Sequence, residues 1–274
     1  METRKDKREK GWKNMKGRKI YMLKVGEREG PSINNLYLEE NAPASFLTAM
    51  YFWCIVDETG PVLIDQGFSA QTVKDLNMPF RFEAEPVELL RRIGIDAKDV
   101  RAVILTHLHW DHYSGEEFFP RANYFVQQRE MAHVVNPLLR YKALGRFYNR
   151  AALEKIVHLL LTGRVTVIDG DQELFPGISS LWTGGHSPGS QAVVAETRKG
   201  VAVICGDVIP RYQNIREGIP CGIHTSVIEA VQAQEKIKSR AGSLESILTG
   251  HDPEAMQKYP RVADGVYLIE GELP

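Results

Sequence analysis

The stretch Val103-Ile104-Leu105-Thr106-His107-Leu108-His109-Trp110-Asp111-His112 limits most what this chain can become. An apolar, β-branched run bounded by a turn reads as a buried strand. Here that strand runs straight into three imidazoles and a carboxylate within six residues, in a chain with only eight histidines. Neutral imidazole and carboxylate are the ligands that a borderline divalent cation such as zinc accepts. Open α/β sheets build their sites where strands run out into loops. The fold therefore has to end a buried strand where such ligands can converge.

Three more positions complete a set. His186 stands in Thr183-Gly184-Gly185-His186-Ser187-Pro188-Gly189-Ser190-Gln191, where glycines and a proline fix a tight loop that presents one imidazole. Asp207 ends the apolar run Ile204-Cys205-Gly206-Asp207 and is suited to bridge two cations. His251 follows Leu248-Thr249-Gly250, again a strand running into a Gly-His turn. Five histidines and two aspartates give two cations three or four protein ligands each, with positions left for water and substrate.

Around these positions, short apolar runs between turn signals predict strands at 20–25, 51–56, 62–65, 103–106, 124–126, 165–168, 192–195 and 201–204. Helices are predicted from Pro86 to Ile93, with Pro at its start and Gly94 at its end, and from Ser226 to Ser239 behind a Thr225/Ser226 cap. The mixed order predicts an α/β (α+β) layered sandwich in a single domain, residues 20–274. A mostly helical segment at about 128–163, carrying Tyr141, Phe147 and Tyr148, interrupts the rhythm. It reads equally as an insertion over a pocket or as a structural hairpin.

With 34 Lys+Arg against 35 Asp+Glu and 43% hydrophobic residues, the chain has the composition of a globular protein and no field that gathers nucleic acid or an anionic membrane. The basic segment 1–19 leads into no long apolar region and reads as a solvated tail. Three widely spaced cysteines without a CxxC pair argue for a reducing, cytoplasmic setting. The expected partner is a small-molecule substrate, with neither nucleic acid nor membrane; a homodimer is left open.

In order, HxHxDH, a lone His, an Asp and a lone His resemble the metallo-β-lactamase superfamily, from about Leu47 to Asp252. The resemblance implies a four-layer αββα sandwich with a dinuclear centre between the sheets. By similarity His107, His109 and His186 would bind one metal, Asp111, His112 and His251 the other, and Asp207 would bridge them. Asp65, in Leu63-Ile64-Asp65, matches the family's early aspartate and would orient an imidazole. A histidine at position 109, where the di-iron flavoprotein branch has glutamate, favours hydrolysis.

His186-Ser187-Pro188-Gly189-Ser190-Gln191 resembles the HTPGHQ phrase of N-acyl homoserine lactonases, with Ser187 and Ser190 in place of Thr and His. Those lactonases place a tyrosine after the bridging aspartate, and Tyr212 is the nearest here. The implied reaction is lactone opening by a metal-bridging hydroxide, with Asp111 passing the proton to the leaving oxygen and Tyr212 as a second catalytic candidate. Two divalent ions are expected, zinc first, with iron, manganese or cobalt as alternatives. Phe147, Tyr148, Ile209 and Pro210 are candidates for the apolar pocket wall. The same scaffold also resembles thioesterases of the glyoxalase II kind, phosphoesterases and RNA-processing nucleases, and mononuclear iron dioxygenases.

Overall fold

The computed structural model describes residues 17–115 and 117–273; residues 1–16 of the basic segment lie outside the described residues. Its core begins with two long antiparallel strands, β1 (Lys19–Pro31) and β2 (Ser45–Asp57). Along β2 the side chains alternate as a pleated strand requires. Met50, Phe52 and Cys54 enter one core, while Tyr51, Trp53 and Ile55 enter another on the opposite face. A strand buried on both faces can only lie inside a stack of layers.

The first sheet continues with β3 (Gly60–Ile64), β4 (Arg81–Phe82), β5 (Ala102–Ile104), β6 (Asn123–Gln127) and β7 (Val165–Ile168). The second comprises β8 (Gln172–Phe175), β9 (Ile178–Trp182), β10 (Gln191–Thr197), β11 (Gly200–Ile204) and β12 (Ile247–Leu248). The chain then returns to the first sheet as β13 (Arg261–Ala263) and β14 (Val266–Glu270). The strand order is β13-β14-β1-β2-β3-β5-β6-β7, with β4 on β1, in one sheet and β12-β11-β10-β9-β8 in the other. β3, β5, β6 and β7 run parallel, so β3 and β5 end at the same edge.

Helices cover both outer faces. On the first sheet lie α1 (Ala70–Leu76), α2 (Pro86–Arg91), α3 (Gln128–Val134), α4 (Lys142–Gly145) and α5 (Arg150–Leu161). Leu89, Leu90, Met131, Ile156 and Leu159 from this group join Leu23, Phe52, Leu63 and Val103 in the outer core. Of the later helices, α6 (Tyr212–Glu217), α7 (Val227–Ala241) and α8 (Glu254–Lys258), it is α7 that backs the second sheet, through Ala233 and Ile237. Between the sheets Met22, Trp53, Ile64 and Ile104 meet Ile178, Val193, Ala195 and Ile204. This is the αββα order of layers.

Local chemistry sets the helix ends. Pro86 opens α2, the Asn149 carboxamide accepts from Ala151 N at 3.0 Å before α5, and the Ser226 hydroxyl accepts from Glu229 N at 3.2 Å before α7, which stops at left-handed Gly242. Among the described residues no helix is long and apolar enough to cross a membrane.

Candidate metal centre

Asp65 follows β3 directly and adopts a left-handed backbone, φ 61°, with its N–H donating to Ile104 O of β5 at 2.9 Å. Few non-glycine residues accept this conformation, aspartate among them. It turns the carboxylate across the ends of both strands, where it accepts from Thr106 N at 2.7 Å and Thr106 Oγ1 at 2.9 Å. Its Oδ2 lies 2.7 Å from His112 Nδ1, which places a proton on Nδ1 and turns Nε2 toward Asp207.

Two other imidazoles are held the same way by backbone carbonyls. His186 Nδ1 donates to Ile223 O at 2.7 Å, and His251 Nδ1 donates to Ala49 O at 2.8 Å. The loop carrying His186 needs its glycines, because a Cβ on Gly185 would stand 2.6 Å from the Ala230 backbone. Asp207 leaves the end of β11 through Gly206, φ 52°, packed so closely on Thr106 that a Cβ there would lie 2.9 Å from its side chain.

The structure brings the seven residues together, all buried. His107, His109, His186 and Asp207 form one group able to hold a cation, and Asp111, His112, His251 and Asp207 a second, with Asp207 common to both. His186 Nε2 is 2.9 Å from His109 Nδ1 and 3.1 Å from His107 Nε2; Asp207 Oδ1 is 2.7 Å from His251 Nε2 and 2.9 Å from His112 Nε2. Asp111 Oδ2 sits 3.6 Å from His251 Nε2 and 3.7 Å from His112 Nε2.

These atoms converge without satisfying one another. His112 Nε2 and Asp207 Oδ1, though close, have no hydrogen-bond partner among the described residues. Buried polar atoms are seldom left so, and imidazole nitrogens facing a shared carboxylate are a donor set for divalent cations. The site fits two such ions.

Electrostatics divides the imidazoles. Burial, then the neighbouring histidines, hold His107 well below the usual imidazole range. Burial, then His186, does the same for His109, and burial also lowers His186 against the pull of Asp207. These three are therefore neutral, the form that binds metal. For His112 and His251 burial is outweighed by Asp207 and other carboxylates, and both are raised. Asp207 is pushed up by burial but held well below the carboxylate range by His251, His112 and His186.

The cleft over these residues is lined on one side by Arg28, Thr48 and Met50 of the long strand pair, and elsewhere by Asn34, Trp110, Phe147, Pro210, Cys221 and Ile223. Phe147 and Pro210 thus lie where the pocket wall was expected, whereas Tyr148 packs edge-on beneath His109 at 4.6 Å and Ile209 is buried in the core behind the second sheet. Tyr212 lies away from the cleft. It starts α6 with its N–H bound to Asp252 Oδ2 at 2.9 Å, which sends the ring into the core between the sheets under Lys258, and it is not among the residues lining the cleft.

One organising residue escapes sequence reasoning altogether. Glu130, fully buried on α3, accepts from Leu108 N at 3.0 Å, Tyr148 Oη at 3.3 Å, Ser187 Oγ at 2.6 Å and Gly189 N at 3.1 Å. It thereby ties the His107/His109 loop to the His186 loop. No local spacing marks such a glutamate, since its partners lie 18 to 59 residues away.

The family model of the metallo-beta-lactamase superfamily matches residues 49–251, which contain all seven of these side chains. The chain belongs to that superfamily. Among relatives of this metallo-beta-lactamase-fold chain is an N-acyl homoserine lactonase of Bacillus cereus, 27% identical over 74% of this chain and 80% of the relative. An N-acyl homoserine lactonase, AttM, of Azorhizobium caulinodans is 26% identical over 91% of this chain and 98% of its own length. A crystal structure of a B. thuringiensis AiiA mutant with N-decanoyl-L-homoserine at its active site superposes with a TM-score of 0.74 at 22% identity, covering 89% of this chain and 97% of that one. At that identity the likeness is one of fold.

Proposed function

We propose that this member of the superfamily is a dinuclear metal-dependent hydrolase that opens the ring of N-acyl homoserine lactones. The observation that carries the reading is the pair of ligand groups sharing Asp207 at the floor of a partly apolar cleft. The lactonases of Bacillus and Azorhizobium among the relatives support the substrate class. His107, His109 and His186 would hold one ion, Asp111, His112 and His251 the other, with Asp207 between. Zinc is the proposed occupant, on the strength of its preference for imidazole and carboxylate; iron, manganese and cobalt suit the same donors.

When bound, such a pair supplies a nucleophilic water of lowered pKa and a Lewis acid for the lactone carbonyl. The protein supplies everything else. Asp65, Ile223 O and Ala49 O fix which nitrogen of His112, His186 and His251 carries the proton, so that the other faces inward. Met50, Trp110, Phe147 and Ile223 exclude water around an acyl chain. Asp111 lines the cleft beside His112 and His251, a position from which its carboxylate can take a proton and return it to the leaving alkoxide oxygen. The segment 128–163 acts as cover, supported by Phe147 in the wall and Tyr148 against His109. A cytoplasmic setting is supported by the three free, buried cysteines.

The test is metal content per chain together with acid release from an acyl homoserine lactone. Two ions and turnover that a chelator abolishes are expected. One iron with oxygen uptake, or two ions without any lactone turnover, would overturn the reading.

A further inference from the structure

Arg28 is the only lysine or arginine lining the cleft among the described residues. It sits on β1 opposite Thr48 of β2, half-buried, on the same wall as Thr48 and Met50. A guanidinium partly withdrawn from water gains from a carboxylate partner. Arg28 makes no such ion pair among the described residues, and the acids nearest in sequence are already committed. Glu27 is held by Lys24 at 3.0 Å and Arg81 at 2.9 Å, and Glu29 accepts from the Ser45 hydroxyl at 3.1 Å. Asp111 and Asp207, the acids that share the cleft, belong to the two ligand groups.

The head group is nonetheless anchored. Nε donates to Glu29 O at 3.2 Å and Nη1 to the Met78 sulfur at 2.9 Å. Of the five N–H donors on a guanidinium, these use two, which leaves enough for a bidentate pair with one carboxylate. A cation lining a substrate cleft with no carboxylate partner and donors to spare is suited to recognise an anion.

We infer that Arg28 binds a carboxylate carried by the substrate on the arm remote from the lactone ring, so that the preferred substrates are lactones with an anionic side arm. This rests on the lactonase reading for the reaction, not for the recognition. Uncharged acyl chains would still meet Met50, Trp110 and Phe147 but leave Arg28 without its partner.

The test compares two compounds: the adipic acid monoamide of homoserine lactone, whose chain ends in a carboxylate, and the same molecule ending in a carboxamide. In the metal-loaded wild type the ratio of kcat/KM, charged over neutral, is expected to be about tenfold or more, the size of a charge-assisted hydrogen-bond pair. In Arg28→Gln the ratio should fall to near one, and Arg28→Lys should keep part of it. Calorimetric Kd values of the two ring-opened acids, measured on the same proteins, give the ratio without turnover. A ratio near one in the wild type, or one unchanged in Arg28→Gln, overturns the inference while leaving the lactonase reading intact. A ratio that depends on Arg28 in binding, with no ring opening of either compound, supports Arg28 and overturns the lactonase reading.

Discussion

At the residue scale, the centre depends on carboxylate and carbonyl groups that dictate where imidazole protons sit. Asp65 bonds three donors at once, and replacing it with asparagine keeps the shape while giving His112 Nδ1 a weaker, neutral partner. Asp65→Asn is expected to lower metal affinity or activity by about 10–100-fold, the usual cost of losing such an outer partner, as read by competition with a chromophoric chelator.

The same residues set the pH response. His112 and His251 are raised by their carboxylates, so in the metal-free protein their contribution to stability is fully present below the unfolded imidazole value and is lost as pH rises through the folded ones. Asp207 has the opposite sign: its contribution is present above the unfolded carboxylate value and is lost as pH falls through the depressed folded one. Cations must displace the protons on His112 and His251. Metal binding should therefore release protons near neutral pH and weaken as pH falls, which calorimetry in buffers of different ionisation enthalpy will read. The seven converging side chains were legible in the sequence because four of them fall in one six-residue motif and the rest follow strand ends. The place of Tyr212 in the core was illegible because sequence distance from Asp207 says nothing of where a helix starts, and Arg28 was illegible because its meaning lies in partners that it lacks.

At the scale of elements, α3 governs the site from outside it. Glu130 joins the loop after β5, the loop before β10 and the segment before α5 through four hydrogen bonds, and Gly189 packs so tightly on it that a Cβ would stand 2.2 Å from Glu130 N. Glu130→Ala leaves several buried donors unsatisfied and should cost about 3–5 kcal/mol by denaturant titration, with loss of the ion proposed for His107, His109 and His186. Glu130→Gln should lose less. Strands such as β7 and β11 were legible from apolar runs, and α2 and α7 from their caps. The two-residue β4 was not, because so short a strand carries no period and is imposed by its neighbours.

Across the whole molecule, Arg18 fastens one sheet to the other. Buried at the start of β1, it pairs with Asp57 at the end of β2 at 2.9 Å and donates to Pro176 O, Gly177 O and Glu196 O of the second sheet. Arg18→Ala removes the cation paired with Asp57 and leaves those carbonyls without their donor, and should destabilise by about 3–5 kcal/mol, seen as a lower unfolding midpoint with metal stoichiometry retained in the folded protein. The layered sandwich was legible from the mixed order of strands and helices, and its four layers only through the family resemblance; the clamp joining the sheets across 158 to 178 residues was not.

The dinuclear lactonase reading is tested most directly by acid release from an N-acyl homoserine lactone, followed on chelated protein as divalent ions are added back. Turnover that rises to a plateau at two ions per chain is expected. Turnover absent at two ions, or complete without any, would contradict it.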